Sequence, residues 1–89
     1  MIEARLTIIN KLGLHARAAA KLVTTTTAFN CTVSLGHGDR MVNGKSIMAV
    51  MMLAAGKGTE LCWVFDGEDE QAAHDAVCAL INNRFDEPE

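Results

Sequence analysis

No stretch of this chain approaches the roughly 20 consecutive apolar residues that a membrane-spanning helix needs. The opening Met1-Ile2-Glu3-Ala4-Arg5 likewise has neither the basic leader nor the apolar run of a secretory signal. A cytoplasmic protein without membrane insertion is expected. Cysteine is sparse and badly spaced: Cys31, Cys62 and Cys78 are an odd number with no C-x-x-C, which points to neither a disulfide framework nor a zinc site. Buried free thiols in a reducing compartment, with no metal and no cofactor, are the reading. Excess positive charge is missing too. A formal net charge of −3 argues against a nucleic-acid binder held by counterion release, and a small RNA-binding sheet would also need a basic face and paired surface aromatics. Proline occurs once and low-complexity segments are absent, which sets the chain apart from disordered and fibrous classes.

What is present suits one folded domain spanning 1–89, because 89 residues, 49% of them hydrophobic, cannot split into two independent cores. Ile2, Ala4, Leu6 and Ile8 alternate with Glu3, Arg5 and Thr7, a half-buried strand ending near Ile9. After His15 the alanines take over. Ala16, Ala19, Ala20 and Val23 share one helical stripe, which weakens over the β-branched Thr24 to Thr27 and stops near Asn30. Cys31, Val33 and Leu35 alternate up to a turn at Gly36-His37-Gly38-Asp39, and Arg40–Asn43 leads back as the second arm of a hairpin. Ser46 is placed to cap a helix over Ile47–Ala55 that Gly56 or Gly58 ends. Leu61–Phe65 is apolar on both faces, which predicts a central strand. Glu68-Asp69-Glu70 opens a last helix in which Ala73, Ala76, Val77, Leu80 and Ile81 repeat at helical spacing. Arg84 marks its opposite pole, and Asp86–Glu89 reads as a fraying tail. The order β-α-β-β-α-β-α predicts an α+β fold, a four-stranded antiparallel sheet covered on one face by three helices.

Charge is unevenly divided. Residues 66–89 carry eight acids against Arg84 alone, whereas residues 1–65 carry seven bases against three acids. The split suggests one face offered to an anion or acidic partner and an acidic far end for solubility.

His15 sits at the turn into the first helix, after Gly13 and before Arg17. The first N–H groups of a helix lack intrahelical acceptors and together carry roughly half a positive charge, so an anion attached to His15 would meet the amides of Ala16 and Arg17. The Arg17 guanidinium is a planar donor fork suited to phosphate. The same dipole disfavours an imidazolium ring. A nucleophile beside an anion cradle is what a phosphoryl acceptor needs, although a histidine at such a position also serves as a plain cap.

Asn10-Lys11-Leu12-Gly13-Leu14-His15-Ala16-Arg17-Ala18-Ala19, Val42–Ala54 and Gly67-Glu68-Asp69-Glu70 closely resemble the HPr family of phosphocarrier proteins, in the same order and over nearly the whole chain. The resemblance implies an open-faced β-sandwich and a carrier with no turnover of its own. It implies that His15 accepts a phosphoryl group on Nδ1 from Enzyme I charged by phosphoenolpyruvate and passes it to an Enzyme IIA-type protein, with Arg17 stabilising the phosphate. Ser46 matches the serine that an ATP-dependent HPr kinase/phosphatase acts on in some members. Many members carry Pro where this chain has Ala18, and Trp63 and Phe65 are bulky for the family, which bears on helix rigidity and core packing rather than on the acceptor.

Ile47 to Ala55 is apolar nearly all round, so Met48, Met51 and Met52 are candidates for part of an adaptable partner-docking patch beside His15 as well as for core. His37 and His74 read as surface residues. A monomer working in sugar transport is the leading expectation. The alternative is a nitrogen-related branch of the family acting as a regulatory module through phosphorylation-dependent docking, since Asn82–Glu87 is similar to that branch.

Overall fold

The computed structural model describes residues 1–89. Strands β1 (Ile2–Thr7), β2 (Thr32–His37), β3 (Arg40–Asn43) and β4 (Glu60–Asp66) form one antiparallel sheet in the order β1-β4-β2-β3. β4 is central, paired with β1 from Ile2↔Phe65 to Thr7↔Glu60 and with β2 from Thr32↔Asp66 to Gly36↔Cys62. Composition explains the placement. Leu61, Trp63 and Phe65 project to the helical side and are fully buried, while Cys62 and Val64 opposite them are half-buried. The large rings are accommodated by stacking, with the Trp63 and Phe65 centroids 6.2 Å apart and 7° from parallel. β1 stops at Thr7 rather than Ile9, because Ile8 leaves the ladder to exchange backbone bonds with Gly58 and Thr59 while burying its side chain completely.

Helices α1 (Ala16–Thr27), α2 (Ile47–Met52) and α3 (Glu70–Asn82) cover one face of the sheet. The buried stripe of α1 is Ala18, Ala19, Leu22 and Thr26, rotated from the expected one so that Ala16 stays in the open. The threonine run does not weaken this helix. Thr24 and Thr27 donate their hydroxyls to the carbonyls of Ala20 and Val23 one turn back, and Thr26 donates 2.7 Å to the Gly44 carbonyl across the core. Ser46 caps α2 as expected, its Oγ accepting from the Ala49 N–H at 3.3 Å. That helix ends at Met52 and not at a glycine, since Ala54 turns left-handed with φ 51°. Asp69 precedes α3 but does not cap it; its carboxylate instead accepts from the N–H groups of Asn30 and Cys31 at 2.7 and 2.8 Å.

The largest departure from expectation is the C-terminal tail, which is docked rather than frayed. Arg84, Phe85 and Asp86 form a single turn with φ of 54°, 53° and 63°, a conformation that costs each side chain on the order of 1–2 kcal/mol. Burial offsets that cost: the Phe85 ring is 0% exposed within the main core. Past this anchor, Lys21 Nζ meets Asp86 at 3.3 Å, and the Lys11 N–H donates to the Glu89 carbonyl at 2.8 Å. Phe85→Ala should therefore destabilise the protein by roughly 3–5 kcal/mol, the range for removing a fully buried Phe. Urea unfolding would measure it, and a loss under about 1 kcal/mol would show that the ring is not the anchor.

Candidate functional site

The site is built on the loop Asn10–His15 and the first turn of α1. Gly13 has φ 69°, and a Cβ there would lie 2.4 Å from the Ala55 carbonyl oxygen, so this close approach needs glycine. The contact is used at once. The Leu14 N–H donates 2.8 Å to the same Ala55 carbonyl, which ties the loop to the segment following α2. His15 then has extended backbone, φ −72° and ψ 178°, and caps α1 with its own ring: the Arg17 N–H donates to Nδ1 at 3.3 Å. Cap and candidate acceptor, weighed as alternatives from sequence, are the same atom.

The other ring nitrogen also has a partner. Nε2 lies 2.5 Å from Oε2 of Glu87, with the two side chains 29% and 11% exposed. A backbone donor at Nδ1 assigns the lone pair to that nitrogen, and Nε2 then carries the hydrogen that is donated to Glu87. Asn10 supports the carboxylate from behind: its Nδ2 donates to Oε1 of Glu87 at 3.1 Å and to the Gly13 carbonyl at 2.8 Å. Burial alone would raise the Glu87 carboxyl, but hydrogen bonds from Asn10 and His15, with the nearby positive charge of Arg17, outweigh it and hold the group below its ordinary value.

These residues border an open cleft of about 700 Å³ lined by Lys11, Leu12, His15, Ala16, Arg17, Glu87, Pro88 and Glu89. Arg17 is exposed and enters no ion pair, whereas Lys11 meets Glu89 at 3.3 Å. The ring edge bearing Nδ1 faces the first-turn amides, so the arrangement can hold an anion joined to Nδ1 with the guanidinium of Arg17 beside it.

His15, Ala16 and Arg17 lie together at the start of α1 and along the cleft. Ser46 is half-buried at the start of α2. Met48, Met51 and Met52 stand out from that helix at 76%, 41% and 81% exposure and do not line the His15 cleft, whose apolar side chains are Leu12, Ala16 and Pro88. His37 is exposed, but His74 is not a plain surface residue: it sets its ring edge-on to Phe65 at 5.5 Å and pairs with Asp75 and Cys78. Of the free thiols only Cys31 is buried; Cys62 and Cys78 are half-buried. Sequence reasoning missed Glu87. A signal existed in the charge division, because the acidic end is not far away: Asp86, Glu87 and Glu89 fold back onto Lys21, His15 and Lys11. Since folding depresses the Glu87 carboxyl, its stabilising contribution is present above the ordinary carboxylate range and lost as pH falls through the lower folded value. The stability difference between the protein and Glu87→Ala should accordingly shrink as pH falls through the lower folded value of this carboxyl; a difference that does not decrease with acidification would contradict the assignment.

Comparison with known proteins places the chain in a family. The family model described as "PTS HPr component phosphorylation site" matches residues 2–83. The chain is 60% identical over 90 residues to the phosphocarrier protein HPr of Pseudomonas putida, covering 100% of both chains. It is also 40% identical over 86 residues to the phosphocarrier protein NPr of Shewanella violacea, covering 97% of this chain and 94% of that one. Among solved structures, HPr-C-His from Thermoanaerobacter tengcongensis superposes with a TM-score of 0.94 at 37% identity, covering 100% of each chain. A sheet in this order under three helices, a helix-capping histidine in an open cleft and a family match across most of the chain converge: the protein belongs to the HPr family of phosphocarriers of the phosphotransferase system.

Proposed function

We propose that His15 is the phosphoryl acceptor, that the donor is Enzyme I charged by phosphoenolpyruvate, and that an Enzyme IIA-type protein receives the group. The observation that carries this reading is the position of Nδ1, whose lone pair points at the N–H groups opening α1. In the transfer the Nδ1 lone pair forms the N–P bond as the bond from phosphorus to the donor breaks, and the reverse exchange delivers the group onward. The phosphoryl oxygens take the amides of Ala16 and Arg17, and the Arg17 side chain neutralises their charge. The protein supplies positioning and electrostatics only, with reactive groups of the partner enzymes providing the rest; a transient phosphohistidine is its only covalent intermediate.

Docking would use the exposed apolar side chains Leu12, Met48, Met51 and Met52, whose flexible thioethers adapt one surface to several partners. Phosphorylation of Ser46 by a kinase would put about −1.5 to −2 charges at the start of α2, beside that surface, and oppose an acidic partner there. A cytoplasmic carrier serving sugar uptake is the leading form. The likeness to an NPr protein favours as second reading a nitrogen-branch regulatory module.

Incubation with Enzyme I, Mg²⁺ and phosphoenolpyruvate should place an acid-labile, base-stable phosphate on the protein and none on His15→Ala. Label persisting in that variant would remove His15 from the role. The phosphorylated protein, added to extracts depleted of their own carrier, should restore sugar uptake through a membrane permease; no uptake in a system that responds to another HPr would select the regulatory reading.

A further inference from the structure

Glu87 belongs to no expected site, yet it lies closer to the His15 ring than any other side chain described above. We propose that Glu87 is a positioning residue for phosphoryl transfer: its carboxylate, delivered by the left-handed turn at Arg84–Asp86, holds the hydrogen of His15 on Nε2 so that Nδ1 presents its lone pair. The inference rests on the reading of His15 as acceptor and adds the group that readies it.

Three observations support it. The turn that carries Glu87 is conformationally costly at three successive residues and is held by the fully buried Phe85, so the carboxylate is placed by the core and not by a loose end. The carboxylate is divided between two donors, Oε2 facing His15 Nε2 at 2.5 Å and Oε1 accepting from Asn10 Nδ2 at 3.1 Å. The Asn10 amide cannot turn over, since its Nδ2 already serves two acceptors, Gly13 O and Glu87; it keeps this orientation even though its own buried Oδ1 has no partner.

The charge balance of the step shows what this does. A neutral imidazole with hydrogen on Nε2 attacks phosphorus through Nδ1. The N–P bond forms, the donor's bond breaks, and the ring acquires a positive charge whose remaining N–H points at Glu87. The carboxylate faces that charge when it develops and again when the group leaves, in the manner of the aspartate behind the histidine of a serine hydrolase triad. No proton has to be moved.

Glu87→Gln discriminates between positioning and simple tail docking. The glutamine oxygen is claimed by Asn10, so its NH2 must face Nε2, which then has to be the acceptor and pushes the ring hydrogen to Nδ1. Glu87→Ala removes the partner without imposing the wrong one. Nitrogen-15 shifts of the His15 ring in the unphosphorylated proteins should show hydrogen on Nε2 in the parent, mainly on Nδ1 in Glu87→Gln and a mixture in Glu87→Ala. Initial rates of phosphoryl acceptance should fall by roughly tenfold or more in Glu87→Gln, and less in Glu87→Ala. A structural clamp ranks the two the other way, because glutamine keeps the Asn10 bond. Unchanged ring shifts in Glu87→Gln, or acceptance better preserved in it than in Glu87→Ala, would overturn the proposal. The ring shifts are read without any phosphoryl group and so judge Glu87 separately from the carrier reading, which label remaining on His15→Ala would defeat.

Discussion

A histidine ring has two chemically similar nitrogens, and a carrier that loads and unloads one of them, as proposed for His15, has to make them different. Here each nitrogen is given its own partner. Nδ1 takes a backbone N–H from the start of α1, and Nε2 takes a carboxylate from the other end of the chain, 72 residues away. The first contact is local, set by a helix cap. The second joins opposite ends of the sequence, and it exists only because the whole fold brings the tail to the helix start. Around this ring the remaining site residues fall into place: Asn10 fixes the carboxylate, Gly13 permits the loop to approach Ala55, and Arg17 waits unpaired at the cleft.

The sheet makes that meeting possible. With β4 in the middle, its buried face of Leu61, Trp63 and Phe65 supplies a wide apolar floor on which α1 and α3 lie side by side. The turn after α3 then lands against α1, and Phe85 drops into the shared core. Polar contacts finish the docking: the ion pairs Lys11–Glu89 and Lys21–Asp86, and the hydrogen bond from His15 to Glu87. The two outer pairs, exposed by a third or more on each side chain, contribute little individually, about 0–1 kcal/mol each. Energetically the buried ring outweighs them.

Local patterns carried most of the fold. Alternation marked the strands, alanine density marked α1, and the two-sided apolarity of Leu61–Phe65 foretold its central place. The first-turn setting of His15 and Arg17 was equally legible, since capping depends on neighbours in sequence. What failed depended on distant partners. Threonine propensity argued against the end of α1, and only hydroxyl bonds to the preceding turn and to Gly44 reversed it. The acidic tail looked like solvated surface because no local pattern says that Phe85 will be buried or that three residues will adopt positive φ. His74 looked exposed because its packing partner, Phe65, lies on another element. The charge imbalance between the two parts of the chain was visible throughout; its meaning, that opposite charges find each other, needed the topology.

The most direct test concerns the identity of the loaded atom. In a nitrogen-15-labelled sample phosphorylated by its donor, a one-bond phosphorus–nitrogen coupling should appear at Nδ1 of His15, with Nε2 keeping its hydrogen. Coupling at Nε2, or phosphorus on any other residue, would contradict a ring whose two nitrogens are distinguished by Arg17 on one side and Glu87 on the other.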